Sequence, residues 1–254
     1  MRKSLLLFFS CLLFAGHSMS QITAITPSLL GKNVIKFNLS SVAIEHYMLQ
    51  YERSLGLNKS IGLGIGVSSG VELPFKSTLL DKFGGNDDAR RAIETTKFDK
   101  LTITPEYRFY FGLKGAPLGF YIATFVRYTK LDFTQDYLFT PTGGVEHLAH
   151  VTGKLNGVGG GAMMGMQWGL GKSLTLDWWI VGPFAGIMDG KFSGVCDMSD
   201  MSASEKANLE KDIESIDIPL WKVDATVAGD LIDAKITGPF YGIRLMGLCL
   251  GFRF

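Results

Sequence analysis

The sequence predicts an all-β fold: eight antiparallel strands in an up-and-down transmembrane β-barrel, with a short helix in the last long loop. Three observations predict it. Apolar residues recur with a period of two in eight separate stretches, the pattern of strands with one greasy face. The connections between those stretches alternate between short and long. The last stretch, Pro239 to Phe254, sets Met246, Leu248, Leu250, Phe252 and Phe254 against Leu245, Gly247, Cys249, Gly251 and Arg253. A strand that ends on outward aromatics is sticky in water and suited to lipid.

Length and composition agree with this. The 254 residues suit one domain. The 31 glycines and 12% aromatics suit a barrel, with small residues inside and rings at the membrane interfaces. The formal charge of +1 becomes −1 once Arg2 and Lys3 are removed with a leader, so no nucleic-acid partner is indicated. Residues 1–20 read as that leader, a signal peptide. Arg2 and Lys3 precede the apolar run Leu5 to Ala15, and Ser18-Met19-Ser20 supplies small residues for cleavage near Ser20. Cys11 lies inside the apolar run without a lipoprotein signal. The remainder, 21–254, holds no apolar run long enough for a membrane helix. If it enters a membrane it does so as a closed barrel, which leaves no strand edge unpaired. Cys196 and Cys249 are expected to be far apart and unpaired.

Taken in order, residues 32–40 form the first strand, with Asn33, Ile35, Phe37 and Leu39 on one face. Residues 43–54 form the second, with Tyr47, Leu49 and Tyr51 outward. Residues 60–70 give the cleanest alternation, Ile61, Leu63, Ile65 and Val67 against Gly62, Gly64, Gly66 and Ser68. A polar stretch, 71–98, reads as a loop. The fourth strand, 99–112, carries Pro105, which cannot donate to a ladder and predicts a local bulge. The fifth spans 119–134. A second loop, 135–153, contains His147 and His150. The sixth spans 154–168 and the seventh 173–187. A third loop, 188–237, precedes the final strand. Within it Ser202 and Glu205 match a capping box, followed by Leu209, Ile213 and Ile216 at helical spacing.

The turns after strands two, four and six are short, and the loops after strands three, five and seven are long. That asymmetry belongs to outer-membrane barrels and puts both termini in the periplasm. Tyr51, Phe109, Phe111, Phe120, Trp168, Phe252 and Phe254 then fall near the periplasmic ends of their strands with outward parity, which predicts an aromatic girdle. Arg244 counts as outward by the same parity. The opposite faces collect Lys36, Glu52, Glu106, Arg108, Arg127, Asp177 and Arg253, four cations and three anions. An eight-stranded barrel is only wide enough for its own side chains. Charges there must pair, so these seven predict an interior charge network and a plugged polar interior.

The stretches Asn33-Val34-Ile35-Lys36-Phe37-Asn38-Leu39, Tyr51-Glu52-Arg53, Pro105-Glu106-Tyr107-Arg108-Phe109-Tyr110, Gly119-Phe120-Tyr121 and Gly251-Phe252-Arg253-Phe254 resemble the small outer-membrane barrels of the OmpA and OmpX type. They are more similar still to outer-membrane barrel families of Bacteroidota. The resemblance covers the chain after the leader, although each motif is short and general to barrels. It implies an outer-membrane location, no catalytic residues and no cofactor. It also implies recognition of the terminal aromatic strand by the outer-membrane assembly machinery. The periplasmic peptidoglycan-binding domain of OmpA itself does not follow Phe254 in this sequence.

Function is less legible. The leading expectation is a non-enzymatic barrel in outer-membrane lipid. It would play a structural or surface-interaction role, contacting an extracellular ligand or protein through loops 71–98, 135–153 and 188–237. A small ion or solute channel is the alternative. A lipid-modifying enzyme would need His147, His150 and Glu146 to find a nucleophile, and no serine is spaced to complete a triad. A soluble lipocalin-like barrel, apolar inside, fits the charged faces poorly.

Overall fold

The computed structural model describes residues 31–85, 87–139, 146–215 and 220–254. The proposed leader, residues 1–20, and Ile216 lie outside the described residues. Among the described residues, nine antiparallel strands form one sheet: β1 (Asn33–Asn38), β2 (Tyr47–Ser54), β3 (Lys59–Glu72), β4 (Lys97–Phe111), β5 (Gly119–Phe139), β6 (His147–Leu170), β7 (Leu174–Val195), β8 (Lys222–Ala228) and β9 (Leu231–Arg253). Their order is β1-β2-β3-β4-β5-β6-β7-β9-β8, and β1 also pairs with β9. Eight strands therefore close on themselves, and β8 lies beside the far end of β9.

The strand count is nine, not eight. The added strand hid in the stretch read as a loop at 188–237. Lys222–Ala228 alternates over only 7 residues, and its hairpin to β9 turns on Gly229 at φ +61°. The walls are also uneven. β1 and β2 have 6 and 8 residues, whereas β5, β6, β7 and β9 have 21, 24, 22 and 23. The long strands continue past the greasy segment into polar alternation, which reads as loop. One consequence is that His147 and His150 sit on a strand, paired opposite Phe139 and Asp136.

Parity along β7 and β9 changes part-way. Near their short-connection ends the buried residues are odd-numbered: Thr175, Asp177 and Trp179 on β7, Cys249, Gly251 and Arg253 on β9. Farther along they are even-numbered: Gly182, Gly190 and Gly194 on β7, Arg244 on β9. The pairing of β6 with β7 shifts register between Met164 and Gly165, leaving Ile180 as the extra residue. Opposite Ile180 in the β7–β9 register stands Met246, at φ +50°. One inserted residue turns every side chain beyond it to the other face. Arg244 therefore points inward, against the outward placement that strict alternation predicts.

Pro105 makes no bulge. It pairs opposite Leu63, and the β4–β5 ladder skips Thr104 and Pro105 without losing register, resuming at Glu106↔Phe125. The missing donor interrupts the ladder instead of displacing it. The nearby irregularity lies between Ser68 and Val71, where the Gly70 N–H donates to Asp99 Oδ1 at 2.8 Å.

The inward glycines of β6 make room for side chains. A Cβ on Gly161 would lie 2.8 Å from the ring of Phe125, and one on Gly165 would collide with the Tyr121 hydroxyl. The main core inside the closed sheet includes Met48, Tyr110, Tyr121, Phe125, Met163, Trp179 and Cys249. The outer face is aliphatic: Ile35, Leu49, Leu63, Ile65, Val126 and Leu250 are all exposed.

All long connections lie at one end. The stretch 71–98, read as a loop, is mostly ordered. β3 and β4 extend into it, and between them run α1 (Lys76–Phe83) and α2 (Asp87–Thr95). α2 lies against β5, where the Asp136 N–H donates to Thr95 Oγ1 at 3.0 Å. α3 (Ala203–Glu214) follows β7 and carries the capping box of Ser202 and Glu205. It packs on β8, and its Glu210 and Glu214 accept from the Val227 and Ala225 N–H groups at 2.9 and 3.3 Å. These carboxylates cover a sheet edge that would otherwise offer unpaired donors. A second core of Ala149, Cys196, Met198 and Met201 lies beneath.

Candidate functional site

The closed sheet gathers charge at its centre. Lys36 on β1, Glu52 on β2, Glu106 and Arg108 on β4, Asp177 on β7 and Arg244 on β9 are all buried. Three cations face three carboxylates, so the group is neutral as a whole. Lys36 Nζ lies 2.5 Å from Glu52 Oε2 and 2.6 Å from Asp177 Oδ2. Arg108 Nη1 lies 2.7 Å from Asp177 Oδ2 and 3.5 Å from Glu52 Oε2, and its Nε donates to Glu106 Oε1 at 2.5 Å. Arg244 Nη1 reaches Glu106 Oε2 at 3.4 Å. Lys36 and Arg108 thus bridge β1, β2, β4 and β7 across the interior.

Neutral polar groups complete the cluster. The Tyr110 hydroxyl donates to Glu52 Oε1 at 2.6 Å, as does Ser60 Oγ at 2.5 Å. The Tyr121 hydroxyl donates to Asp177 Oδ1 at 2.8 Å, and its ring stacks under the Arg108 guanidinium at 4.3 Å. Gln50 Nε2 donates to Glu106 at 2.5 Å and Gln167 Oε1 accepts from Lys36 at 2.6 Å. Burying ions costs free energy unless each is paired and its remaining hydrogen-bonding sites are filled; these neighbours fill them around Lys36, Arg108 and Asp177, whereas Arg244 Nε and Nη2 have no hydrogen-bond partner among the described residues.

Five of the seven residues expected in the network meet here: Lys36, Glu52, Glu106, Arg108 and Asp177. Two do not. Arg127 faces inward but lies farther along, with its guanidinium 5.8 Å over the Phe184 ring and no carboxylate ion pair among the described residues. Arg253 is buried at the opposite end, where Nε donates to the Gly31 carbonyl at 2.8 Å. Parity alone gives the face of a residue, not its height, and these two sit above and below the cluster. Strict alternation missed Arg244 because of the insertion at Ile180 and Met246. Tyr110, Tyr121, Gln50 and Gln167 were missed as neutral. Their signal was available, since Gln50 shares parity with Glu52, and Tyr110 with Arg108.

The aromatics lie where the short connections are. Tyr51, Phe109, Phe111, Phe120, Phe252 and Phe254 are exposed, and Trp168 is half-buried where it stacks on Trp178 at 6.5 Å. Phe111 packs on Phe120 and Phe252 on Phe254, at 6.0 and 6.4 Å.

A second chemical grouping lies at the other end. His147 Nδ1 is 2.8 Å from the Asp197 carbonyl and its Nε2 is 3.6 Å from Asp200 Oδ1, beside Cys196. Burial, with Asp197, Asp230 and Asp200 nearby, pushes the Cys196 thiol up. That is the opposite of what a nucleophilic cysteine needs. His150 pairs with Asp136 at 2.7 Å instead of joining His147. Cys196 and Cys249 are both free and buried. Among the described residues no cluster of three or more His, Cys, Asp or Glu is placed to hold a metal ion.

No family model matches the chain, and no curated protein matches it in sequence. Among solved structures, it is similar to the crystal structure of a major outer membrane protein from Thermus thermophilus. That match covers 87% of this chain and 99% of the other, at 11% identity and a TM-score of 0.36.

Proposed function

We propose that the chain is an outer-membrane β-barrel with a plugged polar interior and no enzymatic activity, acting through the surfaces it presents outside the cell. In this reading the short connections and both described ends of the sheet face the periplasm. The aromatic residues form the girdle at that interface. The tall wall of β5, β6, β7 and β9, with β8 and α3, stands outside. The last strand, ending at Phe254, is the element that the assembly machinery would take up.

One observation carries the reading. The polarity of the closed sheet is inverted relative to a soluble protein, with a neutral ion cluster inside and exposed aliphatic side chains outside. Water disfavours such a surface and lipid favours it. The cluster ties β1, β2, β4 and β7 together through side chains that are themselves fully buried and so out of contact with water. This disfavours the channel reading. Planar-bilayer recording of the purified protein is the test: the expected result is no steady conductance. A stable conductance that scales with salt would refute the plug. Partitioning into the aqueous phase during detergent extraction would refute the membrane placement.

A further inference from the structure

The closed sheet has one incomplete seam. β1 pairs with β9 from Asn33, which exchanges backbone hydrogen bonds with Phe254 at 3.0 and 2.9 Å, to Asn38↔Cys249. Beyond that, the Leu39 N–H donates to the Leu248 carbonyl at 2.8 Å and the Leu248 N–H donates to Ser40 Oγ at 3.0 Å. β8 takes up this edge of β9 again only at Thr237. Between them, over residues 238–247, the edge has no strand partner among the described residues. A cavity of about 460 Å³ opens at this gap, above the charge cluster. Its inner lining includes Arg244 and Trp179, and its outer rim includes the exposed Ile44 and Leu245. The cavity is therefore lined both by polar residues of the interior and by apolar residues of the outer rim.

We infer that this cleft binds a lipid-like amphiphile with one anionic head and a single apolar chain. The head sits on Arg244, Arg127 and Lys100, and the chain leaves through the seam past Ile44 and Leu245. Charge is the first support. Three cations line the cleft, and among the described residues no Asp or Glu does. Arg244 is the second. It is only 6% exposed, and its single ion pair uses Nη1. Its Nε and Nη2 are buried with no hydrogen-bond partner among the described residues. The Trp179 and Phe125 rings, 4.2 and 4.8 Å from its Cζ, hold the guanidinium in place. Buried donors left unfilled are costly, and an entering carboxylate or phosphate head would fill them. Trp179, Phe184 and Phe240 line the rest, which suits an alkyl chain.

The inference rests on the bilayer placement proposed above, and the two fail differently. If the placement is wrong, the protein does not insert. If the site is wrong, a folded, inserted barrel does not bind. The full chain is placed in phosphatidylcholine nanodiscs and titrated with dansylundecanoic acid, followed by fluorescence. Saturable binding is expected, with the neutral methyl ester weaker by roughly tenfold or more, the loss of one charge-assisted contact. Arg244→Gln and Arg127→Gln should each weaken the acid by a similar factor and leave the ester unchanged. Gel mobility of unheated samples checks folding. Arg127→Gln does not touch the charge cluster, so it decides alone if Arg244→Gln does not fold. Equal binding of acid and ester would overturn the proposal. So would acid binding that both variants leave intact, or competition by acetate or inorganic phosphate as strong as by decanoate.

Discussion

Replacing Asp177 with Asn gives the sharpest test of the interior cluster. Asp177 Oδ2 lies 2.6 Å from Lys36 Nζ and 2.7 Å from Arg108 Nη1, and Oδ1 accepts from Tyr121 at 2.8 Å. The Asn side chain preserves size but removes one of three carboxylates, leaving three cations against two. Lys36 keeps Glu52 and Arg108 keeps Glu106, yet the buried group now carries an uncompensated positive charge. Breaking a buried pair in this way costs about 3–5 kcal/mol. With a urea slope of about 2 kcal/mol per molar, the unfolding midpoint should fall by roughly 2 M. Tryptophan fluorescence in detergent micelles reads it. Adding Lys36→Gln restores neutrality, so the double variant should be less destabilised than the sum of the singles, by more than about 1 kcal/mol. A single variant costing under about 1 kcal/mol, or strict additivity, would refute the reasoning. Either result would mean that water already screens these charges and the interior is open.

Further predictions concern the strand irregularity and the outer structures. Met246→Gly should raise stability by about 1 kcal/mol, because Met246 holds φ +50°, where a side chain is strained, and is 67% exposed; a loss of stability in the same urea assay would refute the strain. Glu210→Ala with Glu214→Ala should speed hydrogen exchange at the Ala225 and Val227 amides while leaving β6 protected; unchanged exchange would show that α3 does not guard that edge. Hydrogen bonds from the Ser202 hydroxyl and backbone hold the Glu205 carboxyl below its ordinary value. Its contribution to the start of α3 is therefore present above the unfolded value of about 4.3 and lost as pH falls through the lower, folded value. The first turn of α3 should fray in acid, a pH dependence that Glu205→Gln abolishes. Deleting residues 198–228 should leave an unheated sample at the mobility of a folded barrel, since the cluster and the β1–β9 closure lie elsewhere.

The sequence disclosed whatever depends on local period. Ile61 to Ser68 reads as a strand because one face is aliphatic and the other is glycine and serine. α3 was legible because Ser202 and Glu205 announce its start. α1 was not, since its N-cap is Phe75 at φ +59° with no side-chain cap. Arg244 was misplaced for a physical reason. A period of two carries no memory of an inserted residue, and an insertion is set by pairing with β6 and β7, partners distant in sequence. The same limit explains the network. Lys36, Glu52 and Asp177 could be placed on a common face, but only the register between strands fixes which faces stand at the same height.

On the membrane placement proposed above, the short first strand has a consequence for the lipid around it. Six residues at about 3.4 Å each, tilted near 45°, rise only about 14 Å, against an apolar band of about 25 Å on typical outer-membrane barrels. In a bilayer, the side of the barrel at β1 and β2 is too short, while the wall from β5 round to β9, the other partner of β1, is tall. This hydrophobic mismatch is met by thinning the membrane locally, at a modest cost per ångström. With the barrel so placed, headgroups would be drawn down toward Ser40 and Ser41. On that placement, lipid next to the barrel would differ from one side to the other, and the thinnest point would coincide with the gap between β1 and β8 along β9.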